Sequence, residues 1–229
     1  MPKPGPNGIY MIGDNEGRIP LGQGLGIPRT NVVRLNDVKE SADGALELSD
    51  GEARKLAAMG FNGTVVVSCH SNLRQLVTFG GHHPTASADG KRFALFLNKY
   101  FAVKSTGDKA VDTVIILACQ IGRGKFLSQC KEALAQMPKP TLYGVNFICN
   151  RVGGPSIDFK YYYYGADEAA TNSPANTVRG KAAGSAKSLA VAFGGKLSKE
   201  SLERATGTIC DAPADGRDAG VTRPLMAKV

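Results

Sequence analysis

The sequence predicts an α/β fold with a mostly parallel central sheet flanked by helices. Two short segments rich in valine and isoleucine, 63–70 and 111–119, have the pattern of strands that are buried on both faces, which is typical of parallel sheets. Amphipathic helical patterns follow at 91–104 and 124–137, and a further strand pattern occupies 141–148. This alternation of strands and helices favours a parallel sheet with right-handed crossovers.

The segment that precedes these strands is rich in glycine and proline. We expect residues 1–45 to form an extended arm that lies over a single domain of residues 46–229. Within the arm, 9–12 and 31–35 have the composition of early strands. Because the chain has 229 residues, it can bury a sizeable core without support from disulfides.

Local signals mark where the helices begin and what they bury. Ser49 and Glu52 form a capping box, which predicts a helix over 53–59 that stops at Gly60. In the next helix, apolar side chains recur at helical spacing and are expected in the core: Phe93, Phe96, Leu97, Tyr100 and Phe101. The third helix is expected to turn a similar set inward: Phe126, Leu127, Cys130, Leu134 and Met137.

The C-terminal part of the sequence carries weaker signals. Residues 157–164 have strong β propensity and are expected to add an extra β element, either an edge strand or a hairpin arm. Helices are expected over 181–193, which is rich in alanine, and over 198–205. From Asp211 onwards aspartate, glycine and proline are frequent, so we expect irregular structure there.

Composition argues against several classes of protein. No run of about 18 apolar residues exists, so no membrane span is expected. Residues 1–6 lack the apolar core of a secretory signal peptide. The five cysteines are scattered, odd in number and without a Cys-x-x-Cys pair, which favours free thiols in a reducing compartment over disulfides or a structural zinc site.

The formal net charge of +8 comes from lysines and arginines that are spread along the whole chain. A solvated basic surface would explain this distribution, and so would a site for an anionic partner such as a phosphate-rich molecule. Nucleic acid is not the expected partner, because the sequence contains no nucleic-acid-binding motif and no tryptophan.

The ends of the two buried strands carry residues that are capable of nucleophilic catalysis. If the strands are neighbours, His70 and Cys119 emerge at the same carboxyl edge, where open α/β sheets bind ligands. A cysteine attacks as its thiolate, which a nearby imidazole can generate. The turn that begins at Gln120 offers backbone N–H groups to an oxyanion. The alternative for Cys119 is a small apolar residue of a buried strand.

Other cysteines and histidines fit this role less well. Cys130 falls on the inner face of a predicted helix, and Cys69 should point to the opposite face of its strand from His70. His82 and His83 lie in a glycine-rich loop and compete with His70 for the role of general base. No acidic residue stands at ligand spacing beside the histidines, so no metal site is predicted.

A hydrophobic strand that ends in histidine, followed about 50 residues later by one that ends in Ala-Cys, resembles the pattern of the caspase-like cysteine peptidases. The matching residues are Ala118 and Cys119, and Gly122 stands one position later than the glycine of the caspase signature Gln-Ala-Cys-x-Gly. The similarity covers residues 60–150 and looks greatest to the self-cleaving cysteine peptidase domains of bacterial toxins and effectors.

The resemblance implies a caspase-like fold in which Cys119 is the nucleophile and His70 the general acid/base, with no third catalytic residue and no cofactor. It also implies an oxyanion hole lined by the backbone N–H groups of Cys119 and of the next residue after the histidine. That residue is Ser71, where the family usually has glycine, and Gln120 would lie beside the bound substrate. Inositol hexakisphosphate activates toxin domains of this kind, and thermal stabilisation by that ligand would test for such a site here.

These observations together predict a cysteine endopeptidase of the bacterial effector or toxin type that cleaves a protein or peptide substrate. We expect it in the bacterial cytoplasm before export, or translocated into a target cell. One alternative is a deamidase or acyl-transfer effector that uses the same thiol and imidazole. Another is a basic α/β binding module without enzymatic activity. Specificity would be set by the loops after Ser71 and after Asn146.

Overall fold

The structure is a computed structural model of the chain. It describes residues 8–13, 27–59, 63–71, 74–77, 86–101, 111–118, 120–135, 138–146, 148–151, 159–162, 202–203, 206–207, 209–211, 222–224 and 226–229. Cys119, the loop with His82 and His83, and the helix expected over 181–193 lie outside these residues.

The described part of the chain contains the strands and helices predicted within 63–70, 91–104, 111–119, 124–137 and 141–148, together with short strands that the sequence patterns do not predict. In chain order the strands are β1 (Ile9–Ile12), β2 (Val32–Arg34), β3 (Lys39–Glu40), β4 (Leu46–Glu47), β5 (Gly63–Ser68), β6 (His70–Ser71), β7 (Gln75–Val77), β8 (Ala88–Asp89), β9 (Val111–Leu117), β10 (Thr141–Val145), β11 (Ile148–Arg151), β12 (Phe159–Tyr162), β13 (Ile209–Asp211), β14 (Thr222–Pro224) and β15 (Met226–Lys228). The α-helices are α1 (Asp50–Ala58), α2 (Gly90–Phe101) and α3 (Phe126–Ala133), and a short 3-10 helix spans Arg29–Asn31.

Six of these strands form the central sheet, in the spatial order β2-β1-β5-β9-β10-β15. The first five are parallel to their neighbours, and β15 is antiparallel to β10. Along the chain, α1 lies between β2 and β5, α2 between β5 and β9, and α3 between β9 and β10. The predicted α/β architecture, a mostly parallel sheet flanked by helices, is therefore confirmed.

One face of the sheet packs against the helices and forms the main core. Alternate side chains of the strands point to this face, including Val65 and Val67 of β5 and Val114 and Ile116 of β9. α2 and α3 contribute side chains that their spacing predicts, and Leu56 of α1 joins them. The predicted set includes Phe93, Phe96, Leu97, Phe101, Phe126, Leu127 and Cys130.

The opposite face of the sheet is also buried, which explains why the sequences of β5 and β9 are apolar almost without interruption. Val66 and Ile115 have no exposed surface on this side. Here the Tyr143 hydroxyl donates a hydrogen bond of 3.1 Å to the carboxylate of Glu203, and the Lys228 ammonium donates to the same oxygen. These two hydrogen bonds to Glu203 tie β15 to β10. Burial raises the pKa of the Tyr143 hydroxyl.

The ends of the helices follow local hydrogen-bonding rules. The Ser49 hydroxyl accepts a hydrogen bond from the Glu52 N–H, as the capping box predicts, and α1 ends at Ala58. At the end of α3, the Asn98 side chain donates to the carbonyl of Ala133 and accepts from the N–H of Ala135. This side chain replaces the hydrogen bonds that a longer helix would make, so α3 stops before the predicted limit of 137.

The early strands expected at 9–12 and 31–35 within the N-terminal segment are confirmed as β1 and β2. Strands β1 and β2, which fall within residues 1–45, belong to the central sheet, and β1 lies between β2 and β5. Ile9 and Met11 are fully buried there. Apolar side chains of this size gain more from burial inside the sheet than from contact with its surface.

The C-terminal region is more regular than predicted. The extra β element expected over 157–164 is confirmed as β12, which forms a hairpin with β11. The irregular structure expected from Asp211 is wrong for the described residues 222–224 and 226–229, because β14 pairs with β13 and β15 completes the central sheet. Two backbone hydrogen bonds of 2.9 Å between Leu142 and Val229 extend that last pairing.

Candidate functional site

The carboxyl ends of four parallel strands, β1, β5, β9 and β10, meet at one edge of the sheet. Beyond β1, the Gly13 N–H donates a hydrogen bond of 2.8 Å to the Ser68 carbonyl, so the pairing with β5 continues to this edge. The strand order reverses between β1 and β5, because β2 lies on the other side of β1. Open α/β sheets bind ligands outside the carboxyl edge at such a reversal.

His70 lies at this edge, directly after β5. Ser68 and Cys69 are buried, whereas His70 is exposed and Ser71 is half-buried. The two residues form β6, which pairs with β7 so that His70 lies opposite Val77. The chain thus leaves the buried sheet at Cys69 and presents the imidazole to solvent, as the strand pattern predicts.

The strand that precedes Cys119 is the immediate neighbour of β5. β5 and β9 are parallel and adjacent, and their pairing register ends with Ser68 opposite Leu117. His70 follows Ser68 by two positions in the sequence, and Cys119 follows Leu117 by two. Cys119 itself lies outside the described residues, while Ala118 before it is buried.

The turn that follows Cys119 has an unusual backbone. Gln120 has a φ of 56°, and it is the one non-glycine residue with positive φ in the described part of the chain. The Arg123 N–H donates a hydrogen bond of 3.0 Å to the Gln120 carbonyl, which closes a turn of four residues. Within it the Ile121 side chain is fully buried. One hydrogen bond therefore joins the two ends of the turn, and the buried side chain of Ile121 anchors its middle.

Gly122 seats this turn on the end of β10. Its N–H donates a hydrogen bond of 2.9 Å to the Val145 carbonyl. A Cβ atom at this position would lie 2.4 Å from the Gly144 carbonyl oxygen and 2.7 Å from the Asn146 Oδ1 atom. Only glycine permits so close an approach, so the glycine after the cysteine is required by packing.

Asn146 also lies at this edge of the sheet. From the sequence it is expected only to mark the start of a loop. It follows β10 directly, is 5% exposed, and its side-chain amide donates a hydrogen bond of 2.8 Å to the carbonyl of Pro224. The available signal was a polar residue directly after a buried strand, which is the same signal that identified His70.

Two of the other cysteines, Cys69 and Cys130, are buried and form no disulfide. Cys69 packs in the core, on the opposite side of its strand from the exposed His70, as alternation predicts. Cys130 is fully buried on the inner face of α3, and burial raises the pKa of its thiol to about 12. A thiol with that pKa stays protonated at neutral pH and does not act as a nucleophile.

A small pocket lies far from this edge, at the amino-terminal end of β9. It is lined by Leu97, Asn98, Phe101, Val111, Val114, Leu134 and Pro140. Because it opens at the other end of the parallel strands from His70, it does not belong to the candidate site. Within the part of the chain that the structure describes, no group of histidine, cysteine and acidic side chains is arranged to hold a metal ion.

Comparison with the models of known protein families gives no match for this chain, and comparison with curated proteins gives none either. The described helices include none that is both long and apolar enough to span a lipid bilayer. The features of the chain that indicate a function lie at the carboxyl edge of the sheet: His70, the position of Cys119 and the turn at Gln120.

Proposed function

We propose that the protein is a cysteine endopeptidase in which Cys119 is the nucleophile and His70 the general acid/base. The observation that carries the proposal is the pairing of β5 with β9. These neighbouring parallel strands end in register, and His70 and Cys119 follow at equal distances along the chain. The exposure of His70 leaves its imidazole accessible to a substrate.

The proposed reaction proceeds in two steps. His70 removes the thiol proton, and the Cys119 sulfur attacks the peptide carbonyl carbon, forming a C–S bond. The imidazolium returns the proton to the leaving amine as the C–N bond breaks. Water, deprotonated by His70, then attacks the acyl group, and the C–S bond breaks to release the acid and the thiol.

The turn after Cys119 supports this chemistry through preorganisation. A nucleophile works best when its backbone is fixed and nearby N–H groups already point at the developing oxyanion. The hydrogen bonds of the Gln120 turn and the packing of Gly122 restrain the segment directly after the cysteine. In the caspase-like arrangement the oxyanion would accept hydrogen bonds from the backbone N–H groups of Cys119 and Ser71, with Gln120 contacting the substrate.

We test the proposal with the variants Cys119→Ala and His70→Ala, incubated with peptides from a digested proteome and analysed by mass spectrometry. Loss of the nucleophile should lower the rate of peptide cleavage by roughly 10⁴-fold or more. Loss of the acid/base should lower it by about 10²–10⁴-fold. Cys130→Ala is the matched control, because its buried thiol stays protonated at neutral pH, and it should keep wild-type cleavage.

Each other outcome of this experiment has a definite meaning. Wild-type cleavage by either variant would remove that residue from the mechanism. A change in the mass of glutamine-containing peptides without cleavage would indicate a deamidase or acyl-transfer enzyme that uses the same thiol. Absence of any reaction, together with no selective alkylation of Cys119 by iodoacetamide at neutral pH, would favour a basic binding module.

A further inference from the structure

Asn146 joins two parts of the chain that are far apart in sequence. Its side-chain amide donates a hydrogen bond of 2.8 Å to the Pro224 carbonyl, at the end of the β13–β14 hairpin. The residue is 5% exposed, so its side chain is largely shielded from water. A buried amide that loses its partner is destabilising, which keeps the side chain in one orientation.

The same side chain also supports the turn after Cys119. With the amide nitrogen directed at Pro224, the Oδ1 atom faces Gly122, where an added Cβ would approach it to 2.7 Å. The preceding residue, Val145, accepts the hydrogen bond from the Gly122 N–H. The hydrogen bond to the hairpin therefore determines which atom of Asn146 packs against the turn.

We infer that Asn146 is a positioning residue, which holds the turn of residues 120–123 in the geometry that the Cys119 thiol needs for attack. The inference rests on the proposed function, because it assigns no chemistry to Asn146 itself. The Asn146 amide fixes the side chain on Pro224, and the Asn146 Oδ1 atom limits the movement of Gly122. The restrained turn then fixes the backbone that follows the nucleophile.

The test uses Asn146→Asp, which keeps the shape of the side chain and changes only its hydrogen bonding. An ionised carboxylate cannot donate to the Pro224 carbonyl and repels it, whereas the protonated acid can donate and restores the hydrogen bond. We measure the rate of alkylation of Cys119 by iodoacetamide from pH 5 to pH 9 in the full chain. Burial and repulsion by the Pro224 carbonyl raise the pKa of the new carboxyl above that of a free aspartate. The variant should react at least fivefold more slowly than the wild type at pH 9, where the carboxyl is ionised, and the ratio of the two rates should rise towards one as the pH falls to 5.

Asn31→Asp is the matched control. Asn31 is also buried, and its amide also donates to a backbone carbonyl, that of Gly8, at 3.3 Å. Asn31 directly precedes β2 and Gly8 directly precedes β1. This hydrogen bond therefore lies at the amino edge of the sheet, away from the turn. The control should lose stability in a similar way and keep a constant rate ratio across the pH range.

A ratio for Asn146→Asp that stays near one at pH 9 would overturn the inference, and so would an equal loss in Asn31→Asp, which would indicate general destabilisation. Failure of the proposed function has a different signature, because it concerns the wild-type protein. If wild-type Cys119 reacts no faster than the thiol of the unfolded chain and no peptide is cleaved, the peptidase proposal fails and the positioning role fails with it.

Discussion

Gln120 adopts a backbone conformation that its own side chain disfavours. A left-handed φ costs an L-residue roughly 1–2 kcal/mol, because Cβ approaches the following carbonyl oxygen. Here φ is 56°, and the conformation persists because the Arg123 N–H bonds to the Gln120 carbonyl and the Ile121 side chain is buried beneath the turn. Strain that the surroundings maintain in this way is common at functional sites.

Replacing Gln120 with glycine should therefore stabilise the fold. Because glycine has no Cβ, Gln120→Gly relieves the left-handed strain, and we expect the free energy of unfolding to rise by about 0.5–1 kcal/mol. Gln120→Ala, which keeps the Cβ, should change it little. Urea denaturation of the two variants measures the difference, and equal stabilities would show that Gln120 is not strained.

Single residues could be predicted from the sequence only where a pattern marked them. His70 follows an obvious buried strand, so its place at the sheet edge was predictable, and its exposure is confirmed. The conformation of Gln120 was not predictable, because glutamine is not typical of left-handed turns. The role of Asn146 depends on Pro224, and no local pattern encodes a contact between residues 78 positions apart.

Helices α2 and α3 approach each other closely at the first residue of α2. A Cβ on Gly90 would lie 2.2 Å from the Phe126 carbonyl oxygen and 2.9 Å from the Cys130 nitrogen. Beside this contact, the Phe93 and Phe126 rings pack with their centroids 5.7 Å apart. The backbone of α3 thus rests on Gly90, and the pair of helices forms one unit over β9 and β10.

A side chain at Gly90 should force these helices apart. We expect Gly90→Ala to lower the free energy of unfolding by about 2 kcal/mol or more, since backbone atoms must move to make room. Gly51→Ala in α1 is the matched control, because no atom lies within 4 Å of the added Cβ, and it should raise stability by about 0.5–1 kcal/mol. Urea denaturation checks both values, and a neutral Gly90→Ala would contradict the close helix contact.

The sequence predicted elements best where they are long and amphipathic. α2, α3, β5 and β9 were all expected, because each repeats its apolar pattern over several residues. β15 was missed because it has only three residues and its partner β10 is distant in the chain. β1 and β2 were expected as strands, but no local pattern indicates which sheet a short strand joins.

At the scale of the whole molecule, one buried thiol makes the free energy of unfolding depend on pH in the alkaline range. Cys130 is fully buried, and burial raises its pKa from 9.0 to about 12. Between these values the unfolded chain releases the thiol proton and the folded protein keeps it. The unfolded state then binds fewer protons, so stability falls as the pH rises through this range, by up to about 1.4 kcal/mol per pH unit.

Cys130→Ala should remove this dependence. At pH 8 the variant should be about 1 kcal/mol less stable than the wild type, because contacts of the buried sulfur are lost. Above pH 9 the difference in free energy of unfolding between the two proteins should narrow by about 1 kcal/mol per pH unit. Only in the wild type does ionisation of this thiol stabilise the unfolded chain. Urea denaturation at pH 8, 9, 10 and 10.5 measures the gap, and a constant gap would show that the thiol is accessible to water.

The pairing of β10 with β15 has a consequence for synthesis. Among the neighbouring strands of the sheet, β10 and β15 are the farthest apart along the chain, so β10 lacks this partner until Met226–Lys228 have been made. Until those residues leave the ribosome, the nascent domain presents a bare row of N–H and C=O groups to other molecules. The edge of β10 is thus covered late in synthesis. Protection by chaperones matters most before β15 pairs with it.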